Sequence, residues 1–68
     1  MPDISLERQL RCARREVSQR HRVYPRMIER RTMTQAQADD ELVTMQAIVQ
    51  TLEQLVAEER ETVQPTLF

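Results

Sequence analysis

Residues 34–56 read TQAQADDELVTMQAIVQTLEQLV, and this stretch decides the fold. Thr34 and Gln37 have the spacing of a capping box, in which each side chain accepts a hydrogen bond from the other residue's backbone N–H at a helix start. Apolar or small residues then recur at alternating intervals of four and three, the pattern of a coiled-coil-like helix. This second seam consists of Ala38, Leu42, Met45, Val49, Leu52, Val56 and the polar Glu59. The stretch therefore predicts a helix over residues 34–62.

The first half of the chain has the same spacing. The first seam consists of Leu6, Leu10, Ala13, Val17, Arg20, Tyr24 and Met27, with arginine at its one polar position. Asp3 and Ser5 are both suitable N-caps, so we expect a helix over residues 4–31. Pro25 lacks a backbone donor for the carbonyl of His21, which predicts a kink or a short new helix there.

Two seams joined by a few residues predict an all-α, antiparallel two-helix hairpin over residues 1–62. Pairing across the turn is expected to place Tyr24 near Leu42, Val17 near Val49 and Leu10 near Val56. The second helix is expected to end near Glu61 or Thr62, so residues 63–68 are predicted to form a flexible C-terminal tail.

Ile48 and Leu55 lie beside the second seam and widen its apolar face beyond what one partner helix covers. Burial of each side chain is worth roughly 1.5–3 kcal/mol. A second copy of the chain is the simplest cover, so the sequence predicts a homodimer that forms a four-helix bundle.

Composition excludes several classes of site. The 68 residues contain no glycine, which excludes a phosphate-cradling loop, a dinucleotide fingerprint and a nucleophile elbow. One cysteine and one histidine exclude an intrachain disulfide and a zinc site of the usual spacing. Cys12 is expected to be a small buried or half-buried residue beside the first seam. No cofactor, metal or enzymatic activity is expected, and the lack of a long apolar run predicts a cytoplasmic protein.

Charge is divided unevenly along the chain. Residues 1–31 hold nine arginines and four acidic residues, whereas residues 32–68 hold one arginine and seven acidic residues. Because the two halves of the chain carry opposite net charge, they favour pairing with each other, either within one chain or between chains. Five arginines fall on one face of the first helix, opposite its seam: Arg8, Arg11, Arg15, Arg22 and Arg26. This basic face is either a phosphate-binding surface for nucleic acid or a solvated helix face partly paired with acidic residues.

The last residues carry a short motif. Gln64, Thr66, Leu67 and Phe68 resemble the bacterial sliding-clamp-binding motif, Gln-Leu-(Ser or Asp)-Leu-Phe, with Pro65 in place of the usual leucine. The resemblance implies that the Leu-Phe pair enters an apolar pocket while the glutamine amide fixes the register. The alternative is that Leu67 and Phe68 fold back onto the hairpin or remain unbound.

The segment Arg22-Val23-Tyr24-Pro25-Arg26, followed by Met33-Thr34, resembles short phage and prophage proteins without an assigned activity. Those proteins have glycine where Arg31 stands here. The resemblance covers about half the chain and implies a helical hairpin in a phage context. We therefore expect a small phage-type adaptor that binds the host sliding clamp and modulates DNA replication. The alternatives are a nucleic-acid-binding or recombination accessory protein that uses the basic face, and a structural protein-interaction module.

Overall fold

The structure is a computed structural model that describes residues 3–63. It contains two helices, α1 over Leu6–Glu29 and α2 over Gln35–Val63, which pack against each other as a hairpin. No strand is found among the described residues. The predicted all-α hairpin is confirmed, with α1 two residues shorter at each end than expected. Helix α2 includes Val63, so the assignment of Val63 to the tail is wrong.

Both helix starts use the predicted type of cap. The Ser5 hydroxyl oxygen accepts a hydrogen bond from the Arg8 backbone N–H at 3.1 Å, so Ser5 rather than Asp3 is the N-cap of α1. At α2, the Gln37 backbone N–H donates to Thr34 Oγ1 at 3.1 Å, and the Thr34 N–H donates to Gln37 Oε1 at 2.9 Å. The capping box is confirmed.

Helix α1 continues through Pro25 without a break. The proline cannot donate to the carbonyl of His21, and the seam residues on either side of it, Tyr24 and Met27, are half-buried. Their burial against α2 offsets the missing hydrogen bond, so the chain does not start a new helix there.

The two seams form the core. Leu10 and Ala13 of α1 and Ala38 and Val56 of α2 are buried, with Ala38 only 1% exposed. The other seam residues are half-buried except Glu59, which is exposed: Leu6, Val17, Arg20, Tyr24, Met27, Leu42, Met45, Val49 and Leu52. Leu10 and Val56 line one depression between the helices, as the predicted register requires.

Arg31 closes α1 in the left-handed conformation, with φ of 62°. Its N–H donates to the Ile28 carbonyl, and the Thr32 N–H donates to the Met27 carbonyl at 2.9 Å. These two bonds form a Schellman motif, whose left-handed position is usually occupied by glycine. The turn therefore has the left-handed geometry although its residue is arginine.

We expect Arg31→Gly to raise the free energy of unfolding by about 0.5–1 kcal/mol, because the left-handed conformation is unfavourable for a residue with a Cβ. Thermal unfolding at a fixed protein concentration measures the change. Arg30→Gly is the matched control. It removes the same charge from the neighbouring residue, whose φ of −81° is not left-handed and does not favour glycine. A stabilisation by Arg30→Gly as large as that by Arg31→Gly would show that the charge, and not the backbone, is responsible.

Candidate functional site

The basic face lies on the outside of α1. All five of its arginines are exposed, and among residues 3–63 none of them forms an ion pair. They extend over about 27 Å, since Arg8 and Arg26 are 18 residues apart at 1.5 Å per residue. Helix α1 thus presents a row of uncompensated positive charge to solvent.

Three of these arginines converge on Cys12. Arg8, Arg11 and Arg15 line a shallow depression with the Cys12 thiol, and Arg15 Nη2 lies 3.8 Å from Cys12 Sγ. Cys12 is exposed, so its predicted burial is wrong. The reason is angular: at 100° per residue, Cys12 points about 100° away from Ala13 and off the seam.

Other arginines bind acidic residues across the hairpin. Arg14 Nη2 lies 2.7 Å from Glu53 Oε2, and Arg60 Nη2 lies 3.7 Å from Glu7 Oε2. Both pairs are exposed, so each contributes less than about 1 kcal/mol. Both pairs join residues that the antiparallel register places opposite each other, and they show that the oppositely charged halves pair within one chain.

Arg20, the polar member of the first seam, is held by acids on both helices. Its Nε donates to Glu16 Oε1 at 2.9 Å, and its Nη1 lies 3.8 Å from Glu41 Oε2. The hydrogen bond to Glu16 raises the pKa of Arg20, against a smaller opposing effect of desolvation. A raised pKa means that this stabilisation is present throughout ordinary pH and is lost only as the pH rises through that pKa.

One side of the hairpin carries an apolar groove. Its apolar lining comes from both helices and the residues before α1: Ile4, Cys12, Ala13, Met45, Ile48 and Leu52. Ile48 is 44% exposed and Leu55, two helical turns further along α2, is 40% exposed. Both residues lie where the sequence predicts an uncovered apolar face. We call this surface, including Leu55, the lateral groove.

The wall that α1 contributes to the lateral groove was not found by sequence reasoning. Ile4 is 46% exposed and precedes the helix that it borders, so it belongs to no periodic pattern. Cys12 lies off the seam for the angular reason given above. Once the antiparallel register is known, Ile4 and Cys12 can be placed on the side of α1 next to Ile48. That placement is the information from which the groove could have been predicted.

The tail motif, formed by Gln64, Thr66, Leu67 and Phe68, lies outside the described residues. Within residues 3–63, no group of three or more His, Cys, Asp or Glu side chains is placed to hold a metal ion. In the same part of the chain, neither helix is long and apolar enough to cross a membrane. The candidate surfaces described by the structure are therefore the basic face and the lateral groove.

Comparisons with protein-family models, with curated proteins and with solved structures found no match to this chain.

Proposed function

We propose that the chain is a small phage-type adaptor that binds the bacterial sliding clamp through Gln64, Thr66, Leu67 and Phe68 and thereby modulates DNA replication. The observation that carries the proposal is the likeness of these residues to the clamp-binding motif. The fold supports it because α2 runs to Val63, next to the first residue of the motif. A peptide that directly follows a helix is attached to a stiff element. Because the sliding clamp is a cytoplasmic protein, the proposal also implies that the adaptor is cytoplasmic.

The hairpin does not depend on the motif for its own register. All members of the interhelical ion pairs fall within positions 7–60 of the sequence. The two helix caps form at Ser5 and Thr34. Removal of residues 64–68 is therefore expected to leave the hairpin intact. This separation makes a truncation a clean test.

The proposal is tested by titrating purified sliding clamp with the intact chain and with a chain that ends at Val63. We expect micromolar binding by the intact chain, persistence of that binding at high salt, and no binding by the truncated chain. Circular dichroism controls for equal helix content. Equal binding by the two chains, or no binding by the intact chain at high micromolar concentration, contradicts the proposal.

We also propose that the adaptor is a homodimer. The partly exposed Ile48 and Leu55 support this, because a single hairpin leaves both in contact with water. Burial of such side chains is the main favourable term in association.

A second candidate function is binding of nucleic acid by the basic face. It is favoured by a specific contrast: Arg14, Arg20 and Arg60 pair with acids, while the five arginines of the basic face do not. Cations that no acid neutralises are available to phosphate groups. The acidic outer side of α2 opposes this function, since it repels the same phosphates.

For this second function, Arg15→Ala is expected to weaken binding to duplex DNA and to make the slope of log affinity against log salt shallower by about 0.9. Arg14→Ala is the matched control, because Arg14 is adjacent in sequence but pairs with Glu53. Electrophoretic mobility shifts over a salt series give both quantities. Equal effects of the two substitutions, or affinity insensitive to salt, would remove the basic face as a nucleic-acid interface.

A further inference from the structure

The lateral groove has the dimensions of an interface. Helix α1 has 24 residues and is about 36 Å long. Two helices side by side, each about 10 Å wide, give this side of the hairpin roughly 700 Å². A stable protein interface buries about 800 Å² on each partner. One side of this hairpin only approaches that area, so a dimer has to cover the whole of it.

The edges of the lateral groove differ in charge. Arg8 lines the groove, and on a helical wheel Arg26 shares its angle on the outer side of α1. Asp40 and Glu58 likewise share one angle, on the outer side of α2 beyond Ile48 and Leu55. All four residues are exposed. The groove thus has an apolar floor between one basic and one acidic edge.

A surface of this kind is complementary to itself. If a second copy lies face to face with the first, a two-fold axis parallel to the helices sets α1 against α2 of the other copy, and basic edges meet acidic edges. A two-fold axis across the helices sets α1 against α1, and like charges meet. The charges at the edges of the groove therefore favour a second copy of this chain as its partner, in the orientation that sets α1 against α2.

We propose that the lateral groove is covered by a second copy of this chain, related by a two-fold axis parallel to the helices, so that α1 of each copy packs on α2 of the other. This arrangement rests on the homodimer proposed above and specifies its topology. Each helix then has antiparallel neighbours only, as in a four-helix bundle.

The register between the copies follows from the register within one copy. A rotation about an axis parallel to the helices leaves the height of every residue unchanged. Arg14 and Glu53 are level in one chain, as their 2.7 Å contact shows. Counting along the antiparallel helices from this pair brings Arg26 level with Glu41 and Arg8 level with Glu59, so Asp40 and Glu58 lie one residue, about 1.5 Å, from those levels. Each arginine then lies beside the acidic residue of the other copy on an outer edge of the bundle.

The test is a charge exchange between Arg26 and Asp40. Each single variant, Arg26→Asp or Asp40→Arg, places like charges together twice in the symmetric dimer. We expect the dissociation constant to rise about tenfold or more in each. The double variant, Arg26→Asp with Asp40→Arg, is expected to return close to the affinity of the original dimer. Sedimentation equilibrium over a concentration series measures all three, and circular dichroism confirms that the helices are retained.

Arg11→Asp is the matched control, since it makes the same change of charge on α1 at a position turned further from the groove. It is expected to leave dimerisation unchanged. A wild-type chain that sediments only at 8.1 kDa overturns the homodimer itself. A dimer whose single variants keep their affinity, or whose double variant is no better than the single ones, overturns this topology while leaving the homodimer.

Discussion

Replacement of Leu10 by alanine is expected to lower the free energy of unfolding by about 2–4 kcal/mol. Leu10 is 7% exposed and is one of few buried side chains in the hairpin. A core of this size rarely supplies more than about 3–5 kcal/mol, so the variant is expected to be largely unfolded at room temperature. Circular dichroism in a urea series, at one protein concentration, measures the loss.

Val43→Ala is the control for the Leu10 variant. Val43 is 65% exposed on α2, so its truncation removes little packing and substitutes a better helix former. We expect a change within about 0.5 kcal/mol. Similar losses for the two variants would mean that Leu10 is not part of the core.

A double-mutant cycle with Val56→Ala tests the register directly. Val56 is 5% exposed and lines the same depression as Leu10. Residues in contact show non-additive effects of about 0.5–3 kcal/mol, whereas distant residues add. With Leu10→Val, which removes less packing and leaves enough folded protein to measure, we expect the losses at Leu10 and Val56 to be coupled, and those of Leu10→Val and Val43→Ala to be additive.

The sequence predicts most of the fold because its signals are local. The spacing of the seam in α2, from Ala38 to Val56, determines which side is buried, and the Thr34–Gln37 pair marks the start of the helix. Both depend on positions a few residues apart. The left-handed Arg31 was not predictable in the same way, because arginine has no preference for that conformation and the turn imposes it.

The candidate surfaces are less predictable because they depend on both helices at once. Helical periodicity places five arginines on one face of α1, but only the packed hairpin shows that Arg14 and Arg20 are paired while those five are not. In the same way, periodicity shows that Ile48 is an apolar residue outside the second seam. That Ile4 and Cys12 lie across the lateral groove from it is seen only when α1 is packed beside α2.

The two uses proposed for the basic face compete at its ends. In the proposed bundle, Arg8 and Arg26 would face acids of the second copy, which would leave Arg11, Arg15 and Arg22 for any phosphate. Nucleic-acid binding is then expected to be weak and steeply dependent on salt. The dimer is expected to persist at high salt because the floor of the groove is apolar. The proposed homodimer would therefore weaken the case for the basic face as a nucleic-acid interface.

Replacement of Leu67 and Phe68 together by alanine is expected to abolish binding to the sliding clamp. In peptide recognition a few apolar anchors supply most of the binding energy, and each is worth about 2 kcal/mol or more, a loss of roughly 30-fold per anchor. Helix content and dimer affinity are expected to stay unchanged, because both substitutions lie beyond α2. Isothermal titration of the clamp measures the loss.

Pro65→Leu provides the opposite change. It restores the leucine of the motif that the chain resembles, and so adds an apolar contact worth roughly 1 kcal/mol, less the entropy that proline saves by restricting the free peptide. We expect binding to the clamp to become tighter by at most about threefold. Val43→Leu is the control, since it adds a similar apolar group at an exposed site on the hairpin and is expected to have no effect. A tail in which the alanine pair weakens binding and Pro65→Leu strengthens it behaves as a clamp ligand; a tail that responds to neither is not the binding site.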